Sequence, residues 1–293
     1  MTKTIISLTA ALTATLALAP GAHASTASGA SWLAAHQRPG ADGMAADAIV
    51  ALRAANHLSS LDAGRRARVL RGGALQYATT AGATGKTILA LVATRSGNPR
   101  CAGSLDLLRR LDGYGRAGRY GRTIFDQTLG MMAAHALRAG PSKRAVSVLL
   151  NARGRGGWNY DMSRSGGRAD DVTSTAMAIL AARAAGVSRH NATLRAGLRW
   201  LRTQRTPAGG FALGRRDRNE ANSTALAVEA ARAMGSRDTR ALAALRSLQR
   251  SGGAFQFTRE DAGSRVLATN DALVALAGRH LPVAVARTKP GGC

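Results

Sequence analysis

Apolar and polar positions along the chain fall into two patterns that alternate. In the first, a short polar start leads into a run of Ala, Leu, Ile, Val and Met with apolar residues on nearly every side, which describes a helix buried all round. Six segments carry it: Ala46-Asp-Ala-Ile-Val-Ala-Leu52, Gly85-Lys-Thr-Ile-Leu-Ala-Leu91, Asp126-Gln-Thr-Leu-Gly-Met-Met132, Thr173-Ser-Thr-Ala-Met-Ala-Ile179, Asn222-Ser-Thr-Ala-Leu-Ala-Val228 and Asn270-Asp-Ala-Leu-Val-Ala-Leu276. Ahead of each lies the second pattern, with apolar and basic residues at i and i+3 or i+4 and a Gly at the end. That is a half-exposed helix with its stop. It is clearest in Leu198-Arg-Trp-Leu-Arg-Thr-Gln204 followed by Gly209-Gly210-Phe211, and recurs before Gly156-Gly157-Trp158 and Gly252-Gly253-Ala254-Phe255.

With Ala48, Thr87, Thr128, Thr175, Thr224 and Ala272 taken as equivalents, the segments are spaced 39, 41, 47, 49 and 48 residues apart. Such a period holds two helices per unit. The sequence therefore predicts an all-α chain of about six helical hairpins, each an outer helix, a Gly turn and an inner helix. No long alternating run supports a sheet. The insertions Asn159 to Ala169 and Ala212 to Asn219 fall between outer and inner helices and so belong to one face.

Trp200-Leu201-Arg-Thr-Gln204, then Gly-Gly-Phe or Gly-Gly-Trp, then Asn222-Ser-Thr-Ala-Leu-Ala or Asp171-Val-Thr-Ser-Thr-Ala-Met-Ala, resembles the prenyltransferase and squalene-cyclase type repeat. That family includes terpenoid cyclases, protein prenyltransferase β-subunits, transcobalamin-type cobalamin carriers and exported actinobacterial proteins. The likeness is sharp over 145–280 and faint over 30–140. It implies an α/α toroid, or barrel, occupying 25–285, with inner helices parallel around a central cavity and a short tail over 286–293. Its members cyclise, transfer or merely bind, so the fold does not choose among these activities.

Family cyclases carry an acidic D-x-D-D run as proton donor. The nearest match here is Gly167-Arg168-Ala169-Asp170-Asp171, with Arg168 where the first acid belongs. An acid able to protonate an alkene must stay neutral, and an adjacent Arg favours the carboxylate instead. Asp170 and Asp171 are thus weak catalytic candidates. The family's prenyltransferase zinc site needs a Cys on an inner helix, and none of the six segments has one, so no metal is expected. No cofactor is implied either. Gly82-Ala-Thr-Gly85-Lys86-Thr87 has its first Gly too close for a phosphate loop, and Gly113-Tyr-Gly115-Arg-Ala-Gly118 is a turn without a preceding strand.

In such a toroid the inner-helix N-termini would bring Asp47, Lys86, Asp126, Gln127, Asp171, Ser174, Asn222, Ser223, Asn270 and Asp271 toward one rim. Two readings stay open: each is a helix cap, or together they form a ligand-binding ring. Met131, Met132 and Met177 read as core filler, and His57, His135 and His280 as partners of helix C-termini.

Composition adjusts this picture. The chain has 293 residues and a net charge of +25, and Lys3, Lys86, Lys143 and Lys289 are its only lysines, so the cations are overwhelmingly Arg. Ala, Gly and Arg rise together, as a GC-rich genome would produce, which weakens charge as a clue. The Arg groups Arg65-Arg66-Arg68-Arg71, Arg109-Arg110, Arg199-Arg202-Arg205 and Arg215-Arg216-Arg218 read as a solvated outer face, or as a surface for anionic wall polymer or lipid head groups. No nucleic-acid signature accompanies them, and nucleic acid is not an expected partner.

Residues 1–24 hold Lys3 as their only charge, then an apolar run and Ala22-x-Ala24. This is the pattern of an export signal cleaved before Ser25, with an uncleaved anchor as the alternative. In an oxidising compartment Cys101 and Cys293 are expected to pair, within one chain or across two. The functional expectation is a secreted or cell-surface, non-catalytic toroid that binds a small ligand or an anionic surface polymer. The alternative is a terpenoid cyclase or prenyltransferase-like enzyme acting on a polyprenyl substrate in the cavity.

Overall fold

A computed structural model of the chain describes residues 25–164, 170–214 and 218–293. The export signal expected over 1–24, the Gly167-Arg168-Ala169 part of the acidic run, and Arg215 and Arg216 lie outside the described residues.

The six apolar segments form helices α2 (Gly43–Ala54), α4 (Ala81–Thr94), α6 (Ile124–Ala136), α8 (Val172–Ala184), α10 (Ala221–Ala233) and α12 (Arg265–Leu276). Between them run α1 (Thr26–His36), α3 (Ser60–Tyr77), α5 (Leu107–Tyr114), α7 (Lys143–Asn151), α9 (Ala192–Thr203) and α11 (Thr239–Arg246). Each even-numbered helix packs on the next, and α12 packs back on α2, which closes a ring. Every odd-numbered helix lies outside, in the groove between two inner ones: α3 against α2 and α4, α9 against α8 and α10, and α1 against α12 and α2. The fold is therefore an α/α toroid. Among the described residues the only strands are β1 (Cys101–Ala102) and β2 (Leu105–Asp106), a two-residue antiparallel pair.

Small residues on the inner helices hold the ring tight. A Cβ on Gly85 would come within 2.8 Å of the Leu129 carbonyl, and one on Gly130 within 2.9 Å of the Tyr120 ring. Interaxial distance follows the side chains at the seam, so Ala and Gly give close approach. The caps sit just before these helices: Asp42, Thr80, Thr123, Asp171 and Ser264 each accept a bond from a backbone N–H in the first turn, while Glu220 does not.

The Gly-Gly-aromatic turns have a specific purpose. Trp158 N–H donates to Thr175 Oγ1 at 2.9 Å, Phe211 N–H to Thr224 Oγ1 at 3.0 Å, and Phe255 N–H to Thr269 Oγ1 at 3.0 Å. The aromatic side chains go into the core, with Trp158 and Phe255 fully buried. The second Gly lets the inner helix approach: a Cβ on Gly157 would lie 2.1 Å from Thr175 Oγ1. This clasp corrects the repeat register. In the last hairpin the equivalent of Thr224 is Thr269, not Ala272, so Asp271 lies nearly a helical turn deeper in the ring than its sequence alignment implies.

Four of the arginines assigned to the outer face are structural: Arg110 donates to Ala78 O at 3.1 Å, Arg205 pairs with Asp238 and lies over the Phe211 ring, and Arg66 and Arg71 hold the early hairpins. Arg66 is 1 % exposed; its Nε donates to Asp62 Oδ2 at 2.7 Å and its Nη1 to Gln37 O at 3.0 Å, pinning α3 to the end of α1. Arg71 donates to the carbonyls of Ser96, Asn98 and Cys101 and shapes the loop after α4. Arg65, Arg68, Arg109, Arg199 and Arg202 are exposed as expected.

After α12 the chain crosses the ring's C-terminal mouth. Leu281 N–H donates to Glu229 Oε2 at 3.0 Å, Ala286 N–H to Ala136 O at 2.8 Å, and Asn98 Nδ2 to Gly291 O at 3.1 Å. A disulfide between Cys101 and Cys293, with Cα atoms 5.6 Å apart, fastens the tail to the loop after α4. The cysteines thus pair within one chain.

The clasp makes a stability prediction. Removing the acceptor from a buried N–H costs about 1–3 kcal/mol, so Thr175→Val and Thr269→Val should each lower the free energy of unfolding by that amount in equilibrium urea denaturation. A Thr269→Val loss within error of zero would return the last repeat to the Ala272 register.

Candidate functional site

The ring brings together part of the polar set that the sequence singles out. Asp47, Lys86, Asn270 and Asp271 line one cavity in the middle of the toroid. Lys86 Nζ sits 2.5 Å from Asp47 Oδ2 across the α2–α4 seam. Asn222 Nδ2 donates to Asp271 Oδ2 at 2.6 Å across the α10–α12 seam, and Asn270 Nδ2 to Met44 O at 3.3 Å.

The other candidates are turned to structural work. Asp126 accepts from Gly82 N–H at 2.9 Å and from Thr123 Oγ1 at 2.8 Å, joining the starts of α4 and α6. Gln127 is fully buried; its Oε1 accepts from Tyr120 N–H while its Nε2 donates to the carbonyls of Gly118 and Ala145. Asp171 caps α8, accepting from Ser174 N–H and Ser174 Oγ, both at 2.7 Å. Ser223 Oγ donates to Glu220 Oε2 at 2.9 Å. Asp170 Oδ2 accepts from Gly156 and Gly157 N–H at 2.8 and 2.9 Å. In the next repeat the amide of Asn219 accepts from Gly210 N–H at 2.9 Å, so a neutral oxygen serves the same turn.

Sequence reasoning missed Glu229. It lies on α10 one residue beyond the apolar phrase, is 1 % exposed, and lines the cavity with Asp47, Lys86 and Asp271. A charged residue at a core position of a buried helix was the available signal. Burial pushes its carboxyl well above the usual carboxylate range, and nearby Asp271 adds to the shift, against the Leu281 N–H bond that lowers it. Asp271 is pushed up to about 7 by burial and by Asp47, with Asn222 and Lys86 acting in the opposite sense. Burial also raises Asp47, opposed by Lys86, and Asp47 in turn holds the Lys86 ammonium up against its own burial. The interior thus holds one ion pair and two further carboxyls, Glu229 and Asp271, whose pKa values burial raises.

Space is the other half of the site. The cavity measures about 40 Å³, little more than the roughly 30 Å³ a water molecule occupies in the liquid. Val50, Leu89, Leu129, Leu226 and Val274 of the inner helices line the same cavity, together with Leu281 of the tail. Sites for drug-sized ligands run from about 300 to 1,000 Å³.

The sequence matches no family profile and no curated protein. Solved structures do match. The type II terpene cyclase MstE from Scytonema, in its apo form, is similar over 86 % of this chain and 96 % of its own, with a TM-score of 0.58 and 12 % identity. Haptocorrin in complex with Cbi is similar over 88 % of this chain and 67 % of its own, with a TM-score of 0.53 and 11 % identity. At these identities the likeness is one of fold, and the fold this chain shares with both is the α/α toroid.

Proposed function

We propose that this chain is a secreted, non-catalytic toroid that binds an anionic surface polymer or a small ligand by its periphery. The observation that carries the reading is the filled centre: a cavity of about 40 Å³ cannot take a polyprenyl chain. Asp170 and Asp171, the cyclase-like acids, are committed to backbone and side-chain donors. Export fits the disulfide and the described residues, in which no helix is long and apolar enough to cross a membrane. Two similar structures are a type II terpene cyclase and haptocorrin in complex with Cbi, so the fold is compatible with both chemistry and binding.

The periphery offers charge. Arg195, Arg199 and Arg202 are exposed on α9 at spacings of four and three residues, which places them on one face. Exposed cations attract polyanions over about 8 Å at physiological ionic strength, so retention should fall with salt. The protein should co-sediment with vesicles containing phosphatidylglycerol or with poly(glycerol phosphate), and changing Arg195, Arg199 and Arg202 to Glu should reduce retention several-fold with helicity unchanged. Salt-insensitive retention unaffected by these changes, together with turnover of a polyprenyl diphosphate that Asp170→Ala or Asp171→Ala abolishes, would promote the enzyme reading.

The same reading makes the interior carboxyls structural, and that has a pH signature. Asp271 has a folded-state pKa of about 7 against an ordinary value of 3.8, so between these values the folded state holds the extra proton. Stability then falls as pH rises through this window and levels off above it. Glu229 acts in the same direction. Asp271→Asn should therefore flatten the fall in Tm between pH 4 and pH 8, gaining on the wild type at pH 8. An unchanged pH profile would show that Asp271 ionises normally.

A further inference from the structure

Each inner helix is followed by a left-handed residue, and the sequence fills that position in three ways. After α2 it is Asn56, with φ of 56°. After α8, α10 and α12 it is Gly186, Gly235 and Gly278, with φ of 83°, 81° and 66°. Glycine is the default there because L side chains are strained at positive φ. After α4 and α6 it is instead Arg95 and Arg138, with φ of 55° and 57°. The tail reaches the ends of both helices: Ala286 N–H donates to Ala136 O on α6, and the tail lines a cleft with Leu91, Val92 and Arg95 of α4 and its following loop. Arg138 has an evident task, since its Nε donates to Ala286 O and holds the tail down. Arg95 makes no side-chain hydrogen bond or ion pair among the described residues; it stands exposed at the mouth of a cleft between the loop after α4 and the tail.

That cleft measures about 710 Å³, within the range of small-molecule sites. Its cations are Arg95 from the loop and Arg287 and Lys289 from the tail, and no acidic side chain lines it. None of the three forms an ion pair with another described residue. Leu91 and Val92, both buried on α4, give it an apolar floor, and Val285 an apolar wall that is 39 % exposed. A helix C-terminus normally repels anions, but Arg53 of α2 covers this one, its Nε donating to Ala93 O at 2.6 Å and its Nη2 to Thr94 O at 3.3 Å. The two walls are cross-linked by the Cys101–Cys293 disulfide and by Asn98 Nδ2 donating to Gly291 O. A cleft held open by covalent structure loses less on ordering when it binds.

From the unpaired Arg95, the two tail cations and the apolar floor between cross-linked walls, we infer that this cleft is a binding site for a small amphiphilic anion, with a phosphate, sulfonate or carboxylate head and a short apolar body. Arg95, Arg287 and Lys289 receive the head; Leu91, Val92 and Val285 receive the body. The inference deepens the binder reading by naming a ligand class and a place, and it uses none of the α9 arginines on which surface retention depends.

Octyl phosphate below its critical micelle concentration, titrated calorimetrically into the oxidised protein, is the direct test. Saturable one-to-one binding is expected, at least tenfold tighter than for inorganic phosphate or neutral octyl glucoside. Arg95→Gly, which removes the cation and relieves the left-handed backbone, should weaken it tenfold or more, as should the pair Arg287→Glu and Lys289→Glu; Cys101→Ser with Cys293→Ser should weaken it by loosening the tail. The α9 reversals should leave octyl phosphate binding unchanged even where they abolish vesicle retention, which separates failure of this site from failure of the surface reading. Absence of saturable binding, equal affinity for octyl glucoside, insensitivity to Arg95→Gly, or binding only to phosphatidylglycerol vesicles would overturn the assignment.

Discussion

Close approach between the inner helices is the constraint on which the rest of this structure depends. Ala and Gly dominate their seams, and at Gly85 there is no room for a methyl group against the Leu129 backbone. Six helices at such spacing enclose little space. Six medium-sized aliphatic side chains, five from the ring and one from the tail, line what remains, about 40 Å³ beside the charged groups. A toroid with bulkier seams would have a wider bore. The packing distance chosen here turns the centre into a core.

A closed ring must also hold its outer layer and its ends. The Thr hydroxyls of α8, α10 and α12 reach out to the aromatic residue of each Gly-Gly turn, fixing where each outer helix hands over to its inner one. Arg66 and Arg71 do comparable work for the early hairpins, where the Gly-Gly motif is absent. The tail seals the far mouth through Leu281 and is itself secured at Glu229, Ala136 and Cys101. Glu229 therefore ties the buried charges to the closing segment. The interior polar cluster is part of how the ring is shut, and the unfilled polar chemistry lies outside it, on the tail and the outer helices.

Much of this was legible in the chain. Helix type, hairpin order and the division into inner and outer helices follow from apolar runs and Gly turns, because burial on all sides and burial on one side leave different spacings. The toroid itself came from the resemblance, sharp over residues 145–280 and faint over 30–140, and the structure agrees. The site was only partly legible. Sequence placed Asp47, Lys86, Asn270 and Asp271 at one end of the ring, yet Gln127, Ser174 and Ser223 share the same phrase position and face neighbouring backbone or side chains instead. A cap and a cavity residue differ by about one turn of helix, and that difference is decided by packing between hairpins. The Thr269 register shift shows the same effect. Arg66 looked like surface charge because its partners, Asp62 and Gln37 O, include a carbonyl that no residue letter reveals. Glu229 was visible as an acid in an apolar run, and the ring gives it a reason.

The central claim is that the middle of this toroid is core and not a ligand chamber. A high-resolution crystal structure of the protein soaked with farnesyl diphosphate tests it most directly. The account predicts that density between Asp47, Lys86, Glu229 and Asp271 is explained by one or two waters, with Leu281 in place. An isoprenoid chain threaded among Val50, Leu129 and Val274, with Leu281 displaced from Glu229, would contradict it.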